Sequence, residues 1–132
     1  MDVSVKDITK DFVVISPEKN ASIETANTDL YQRLEQNYNG FKSHELVAAY
    51  EFSADWASWE VHPHGDEVVL LLFGEITFLL KLPSGDTSVT LNKAGTYAII
   101  PKGVWHTAKT HVKSKLLFIT PGEGTLNTAE PQ

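Results

Sequence analysis

The sequence predicts an all-β single domain, an antiparallel sandwich or barrel, with one short helix near its N-terminus. Three observations carry this reading. From about Glu45 onward, short alternating or apolar stretches recur between Gly/Pro turn signals. A chain of 132 residues fits one core and leaves little room for a second. Ahead of the strands, "TDLYQRLEQNYNG" repeats its apolar residues at helical spacing.

In chain order, "VSVKDI" and "DFVVI" are candidate strands. In the helix, Thr28 or Asn27 is placed to cap, and Asp29 is an early acid. Leu30, Leu34 and Tyr38 form the apolar stripe, and Asn39-Gly40 is the stop. "ELVAAYEF" then sets Leu46, Ala48, Tyr50 and Phe52 on one face, with Glu45, Val47, Ala49 and Glu51 on the other. "ASWEVH", "EVVLLLF", "EITFLLKL", the turn "PSGD", "TSVTL", the turn "NKAG", "TYAII", "PKG", "VWHTAK" and "KLLFIT" follow. The polar, turn-rich "PGEGTLNTAEPQ" is expected to be extended or without fixed structure past Leu126. The chain thus divides into an N-terminal segment, 1–43, packed on the strand domain, the domain itself, 44–120, and a tail, 121–132.

Composition removes several functions. With no cysteine there are no disulfides, no zinc-thiolate site and no Cys nucleophile. Eleven basic against seventeen acidic residues give a net charge of −6, and Arg33 is the only arginine. A nucleic-acid partner is not expected, because binding phosphate needs a concentrated basic face. The apolar run Val68–Leu82 is too short to span a bilayer and is broken at Gly74-Glu75, so no membrane partner is expected either. The start "MDVSVKDITKD" lacks an apolar core behind a basic end, which points to the cytoplasm.

Two segments carry chemistry. "GTYAIIPKGVWHTAKT" spaces Gly95, Pro101, Gly103 and His106 as the second motif of the cupin superfamily does, with Thr110 in place of that motif's Asn. In "WEVHPHGDE", Glu67 and, further on, Gly74 match the second half of the superfamily's first motif. The chain resembles this superfamily from roughly Ala48 to Thr125. It is similar to a subgroup of short cupins with a W-E-x-H-P-x-G-D-E block and "GVWH" and "TPGEGT" downstream. The resemblance implies a single antiparallel jelly-roll barrel with a metal or polar ligand inside.

The first motif's His pair has two possible registers. His62 and His64 stand one residue too close to Glu67. Glu60 and His62 have the right spacing, with a Glu replacing the first His. Alternate strand residues share a face, and Pro63 sits poorly inside a paired strand. The expected interior set is therefore Glu60, His62, Glu67 and His106, with His64 at the barrel mouth. Whether His64 replaces Glu60 stays open. Tyr50 and Trp56 share parity with the pocket face. Trp59 and Trp105 turn to the opposite face, and His44 and His111 are expected on the surface.

Two imidazoles and a carboxylate hold iron(II) while leaving positions open. A second carboxylate adds hard oxygen, which suits Fe, Mn, Ni or Zn. A small chelating substrate such as a keto acid or a catechol-like diol could then reach the metal. Oxygenase, isomerase and lyase chemistry are compatible with such a site. So are a non-catalytic binding or sensing barrel and a barrel that has lost its metal. Finally, Val68, Leu70 and Leu72 make the outer face of "EVVLLLF" apolar, where a wet sheet would alternate with polar residues. Trp59 and Trp105 are expected on that same side, partly covered by the helix. The remainder predicts a homodimer.

Overall fold

The computed structural model describes residues 3–131. Strands β1 (Asp11–Ile15), β2 (Ala21–Thr25), β3 (Glu45–Phe52), β5 (Glu67–Phe73), β8 (Tyr97–Ile100) and β10 (Ser114–Thr120) form one sheet in the order β2-β1-β3-β10-β5-β8. Strands β4 (Trp59–Val61), β6 (Ile76–Leu82), β7 (Gly85–Leu91), β9 (His106–Lys109) and β11 (Leu126–Thr128) form a second, β11-β4-β9-β6-β7. All pairings are antiparallel. The two sheets are not joined to each other by strand pairing, so the expected barrel is two packed, open sheets.

The strand alternation explains the core. Val69 and Leu71 of β5 and Leu116 and Phe118 of β10 meet Ile76, Phe78 and Leu80 of β6 between the sheets. Removing a side chain the size of Phe78 from water contributes about 1.5–3 kcal/mol. At the β5–β6 turn, Gly74 has φ +96°, and a Cβ there would stand 2.6 Å from the Lys113 carbonyl oxygen. Thr110 donates to the Glu75 carbonyl at 2.6 Å, and the Ser114 hydroxyl donates to it at 2.9 Å. Thr110, in the place of a motif Asn, therefore ties the β9–β10 loop to this turn.

Several expectations are corrected. "VSVKDI" forms no strand, whereas β2, with Ile23 as its one large apolar residue, pairs on β1 at the sheet edge. Of the two alternatives for the tail, the extended one holds at Leu126–Thr128, where β11 pairs on β4 with Asn127 opposite Glu60. Helix α1 spans Leu30–Asn37 and has Asp29 at its N-cap, without a side-chain cap bond. Asn27 instead accepts from the Asp29 N–H and from Arg33. The helix ends, as expected, where Asn39 and Gly40 take positive φ. Leu30 and Leu34 pack with Phe12, Val14, Leu46 and Ala48, on the same face of β3 as Tyr50. The helix covers the inner side of its sheet and not the outer one.

The outer face also differs from its expected form. An extra residue at Leu72, opposite the step from Lys115 to Leu116, interrupts the β5 alternation, so Phe73 turns outward and is 41% exposed. Trp59 and Trp105 belong to the other sheet's side of the molecule, with Lys81 Nζ 5.0 Å from the Trp59 ring centre. They do not share a face with Val68 and Leu70.

Candidate metal centre

The stretch "WEVHPHGDE" divides its side chains between two tasks. β4 carries Glu60, directly opposite His106 at the start of β9. His62 follows the end of β4, Pro63 and His64 lie in a turn, and Glu67 opens β5. Two bonds set the distance between the motif segments. The Gly103 N–H donates to the His62 carbonyl at 3.0 Å, from a turn whose φ of +76° glycine adopts readily. Asp66 accepts the Lys102 N–H at 2.7 Å. Asp66 is thus a loop latch, and the site itself takes the four residues around it.

Glu60, His62, Glu67 and His106 each aim one ligand atom at a common centre, all within 4.8 Å of one another. His62 Nε2 lies 3.4 Å from Glu60 Oε1 and 3.3 Å from Glu67 Oε2. His106 Nε2 lies 3.4 Å from Glu60 Oε1 and 3.2 Å from Glu67 Oε1. His106 and Glu67 are fully enclosed, His62 is nearly so, and Glu60 keeps partial contact with the cavity.

Neighbouring groups set which nitrogen faces the centre. His106 Nδ1 lies 3.1 Å from the Val104 carbonyl, which can only accept, so Nδ1 carries the proton. Thr125 Oγ1 donates to the Gly122 carbonyl and therefore accepts from His62 Nδ1, 2.8 Å away. Both rings consequently offer Nε2 to the centre, as metal-binding histidines do when the other nitrogen is held. Thr120 donates to Glu67 Oε2 at 2.6 Å and fixes that carboxylate.

The electrostatics are those of four coupled groups. Burial alone would raise the Glu60 carboxyl, but contacts with His106 and His62 outweigh it and hold the group at about 2. Burial would likewise raise Glu67, and the same two histidines bring it below the usual carboxylate value. Burial would lower both imidazoles, yet Glu60 and Glu67 push His62 and His106 up to about 9.

The donor set fits a metal ion. His62 Nε2, His106 Nε2 and Glu67 Oε1 are buried without a hydrogen-bond partner, a costly arrangement unless something else is bound there. A first-row ion with bonds of about 2.1 Å sets adjacent donor atoms roughly 3.0–3.4 Å apart. The four imidazole–carboxylate distances, 3.2 to 3.4 Å, fall in that range.

His64 is not part of this set. Its side chain is 56% exposed and its nearest acid is Glu123, at 4.0 Å. Tyr50 and Trp56 both line the cavity that reaches Glu60, His62 and Glu67. Trp56 lies tilted beside His106, ring centres 6.3 Å apart, and its Nε1–H is buried without an acceptor. His111 is exposed as expected, whereas His44 is half-buried against Tyr38 and Phe41. Sequence reasoning assigned no role to Thr120, Thr125 or Tyr31. The "TPGEGT" block held the two threonines, but only the folded chain shows which rings and carboxylates they touch. Tyr31, on α1, shares a 2.5 Å hydroxyl–hydroxyl bond with Tyr50 across the cavity wall.

No family model and no curated protein sequence matches the chain. Solved structures do. A crystal structure of oxalate oxidase is similar with a TM-score of 0.54 and 16% identity, over 62% of this chain and 45% of that one. A cupin-2 domain-containing protein from Shewanella frigidimarina is 26% identical with a TM-score of 0.47, over 58% of this chain and 70% of that one. Hydroquinone 1,2-dioxygenase from Sphingomonas sp. TTNP3 gives 0.49 and 19%, over 58% of each chain. The present chain thus spans about half the length of the two enzymes.

Proposed function

We propose that this chain, which carries the cupin fold those structures share, holds one divalent metal on Glu60, His62, Glu67 and His106 and acts on a small molecule that chelates it. The observation that carries this is the convergence of three buried ligand atoms that make no hydrogen bond, beside a cavity lined by Glu60, His62 and Glu67. Fe, Mn, Ni and Zn all suit two imidazoles with two carboxylates. Such an ion supplies Lewis acidity and a fixed point for orienting oxygen donors. The chain's own residues do the rest. Val104 and Thr125 keep the Nδ1 protons, and Thr120 orients Glu67. Binding without catalysis is the second reading, favoured by an aromatic wall that would hold a ring without taking part in a reaction.

Metal analysis of protein purified without chelator or metal-affinity resin tests the proposal, with about one divalent ion per chain expected. His62→Gln is expected to lose the ion, and His64→Gln to retain it. The reverse ranking would put the other register of the first motif in the site.

Protons compete with the metal. With both imidazoles at about 9, each is protonated at neutral pH, and binding must displace those protons. Metal affinity is therefore expected to rise with pH and level off above about 9. Calorimetric titration in two buffers of different ionisation enthalpy should register proton release at pH 7.

We also propose a homodimer. Leu72, Tyr97 and Ile99 lie 38%, 61% and 54% exposed on β5 and the edge strand β8. Burying such a patch contributes about 25 cal/mol per Å². Light scattering at micromolar concentration should give twice the chain mass.

A further inference from the structure

The cavity over the centre encloses about 970 Å³, room for far more than a two-carbon acid. One part of its wall is aromatic. Phe52 and Trp56 have ring centres 5.4 Å apart, and each lies 6.1 Å from Phe118. Apart from His62, the charged side chains on the wall are acidic, with Glu35 and Asp55 beyond the two carboxylates of the centre. Among the described residues no Lys or Arg lines it. Lys109 is engaged with Asp55, Nζ to Oδ2 3.6 Å. Arg33, on α1, is committed to Glu24, Asn27 and the Thr25 carbonyl.

This charge pattern has a consequence for the ligand. Glu60 and Glu67 together cancel the charge of a divalent ion, so the loaded centre attracts an anion less than one held by neutral ligands would. Glu35 adds a further negative charge to the wall, while that of Asp55 is offset by Lys109. Sites that take carboxylates usually supply a guanidinium or ammonium, and this wall has neither. The aromatic side favours a ring stacked or edge-on against it.

Resting on the metal reading above, we propose that the site takes an uncharged, ring-bearing molecule with two adjacent oxygen donors and discriminates against carboxylates. The ring packs on Phe52, Trp56 and Phe118, and the oxygens face the centre.

The test uses three probes on the zinc-loaded chain: catechol, benzoate and oxalate. Binding is followed by tryptophan fluorescence and calorimetry, with metal content measured on the same samples. Catechol should bind at least tenfold more tightly than either acid. An acid that binds as tightly as catechol overturns the proposal, as does the absence of catechol binding at millimolar concentration. If the chain retains none of zinc, iron, manganese and nickel, the metal reading fails by itself. The titration of metal-free chain then still reads the wall, where catechol ahead of benzoate supports the proposal and the reverse overturns it. A second variant isolates the charge argument. Ser53 lines the cavity and is exposed, so Ser53→Lys adds a cation without disturbing the core. It should raise benzoate affinity at least threefold and change catechol affinity less than twofold. Unchanged benzoate affinity overturns the charge argument.

Discussion

His106→Gln and Glu67→Gln are each expected to empty the centre while both sheets stay folded. His106 is fully buried with Nε2 toward the centre, while Glu67 is 2% exposed with its two oxygens 3.3 Å and 3.2 Å from His62 and His106. Gln keeps much of the volume in either place, so no large cavity forms. Its amide can still donate to a neighbouring carboxylate. What it lacks is a good ligand atom for a divalent ion. Substituting a residue that merely orients a ligand costs roughly 10–100-fold in metal affinity, and removing the ligand should cost more. The measurement is metal content per chain, expected near one for the native protein and below about a tenth for each variant. Thermal unfolding gives an independent readout. An ion bound to the folded chain alone stabilises it by about 4 kcal/mol at a thousandfold excess over Kd. The native midpoint should therefore rise on adding metal, and the variants' midpoints should not. Metal content that survives both changes would place the site elsewhere.

Gly74→Ala should be among the most destabilising single substitutions outside the centre. Two separate problems meet at this position. Its φ of +96° is a region that side chains rarely adopt, at a cost of about 1–3 kcal/mol. The space for a Cβ is also taken, by the Lys113 carbonyl 2.6 Å away and by Ser114, whose hydroxyl holds Glu75. Backbone on that side cannot move without disturbing β10, which lies between β3 and β5. Overpacking of this kind adds about 1–3 kcal/mol. Together the two costs predict a loss of roughly 2–6 kcal/mol in urea unfolding. Gly40→Ala separates them, because Gly40 has φ +66° and nothing within 4 Å of a Cβ. It should lose about 1 kcal/mol. Equal losses at the two positions would mean that the close packing around Gly74 contributes nothing.

How much of this was readable in advance depended on the range of the interaction. Strand alternation is local, so β3 through β10 could be read from residue order, as could the turns at Gly74, Gly95 and Gly103. The choice of Glu60 over His64 was also local. Pro63 lacks an N–H and ends the strand after His62, which leaves His64 in a turn. The short edge strands β2 and β11 were missed because they carry few apolar residues and are stabilised by the partner they pair with.

The sequence by itself determined an antiparallel β domain and offered Glu60, His62, Glu67 and His106 as residues that could meet inside it, since both follow from short-period patterns and fixed spacings. Tertiary structure decided the remainder. It turned the Leu30–Leu34 stripe of α1 toward the cavity side of β3, and it put Trp59 and β5 in different sheets. It also brought Thr120 to Glu67 and Thr125 to His62, contacts between residues 53 and 63 positions apart. The physical reason is that a periodic pattern says which face of an element is apolar, but not which other element covers it. That choice is made by packing and hydrogen bonding across the whole chain.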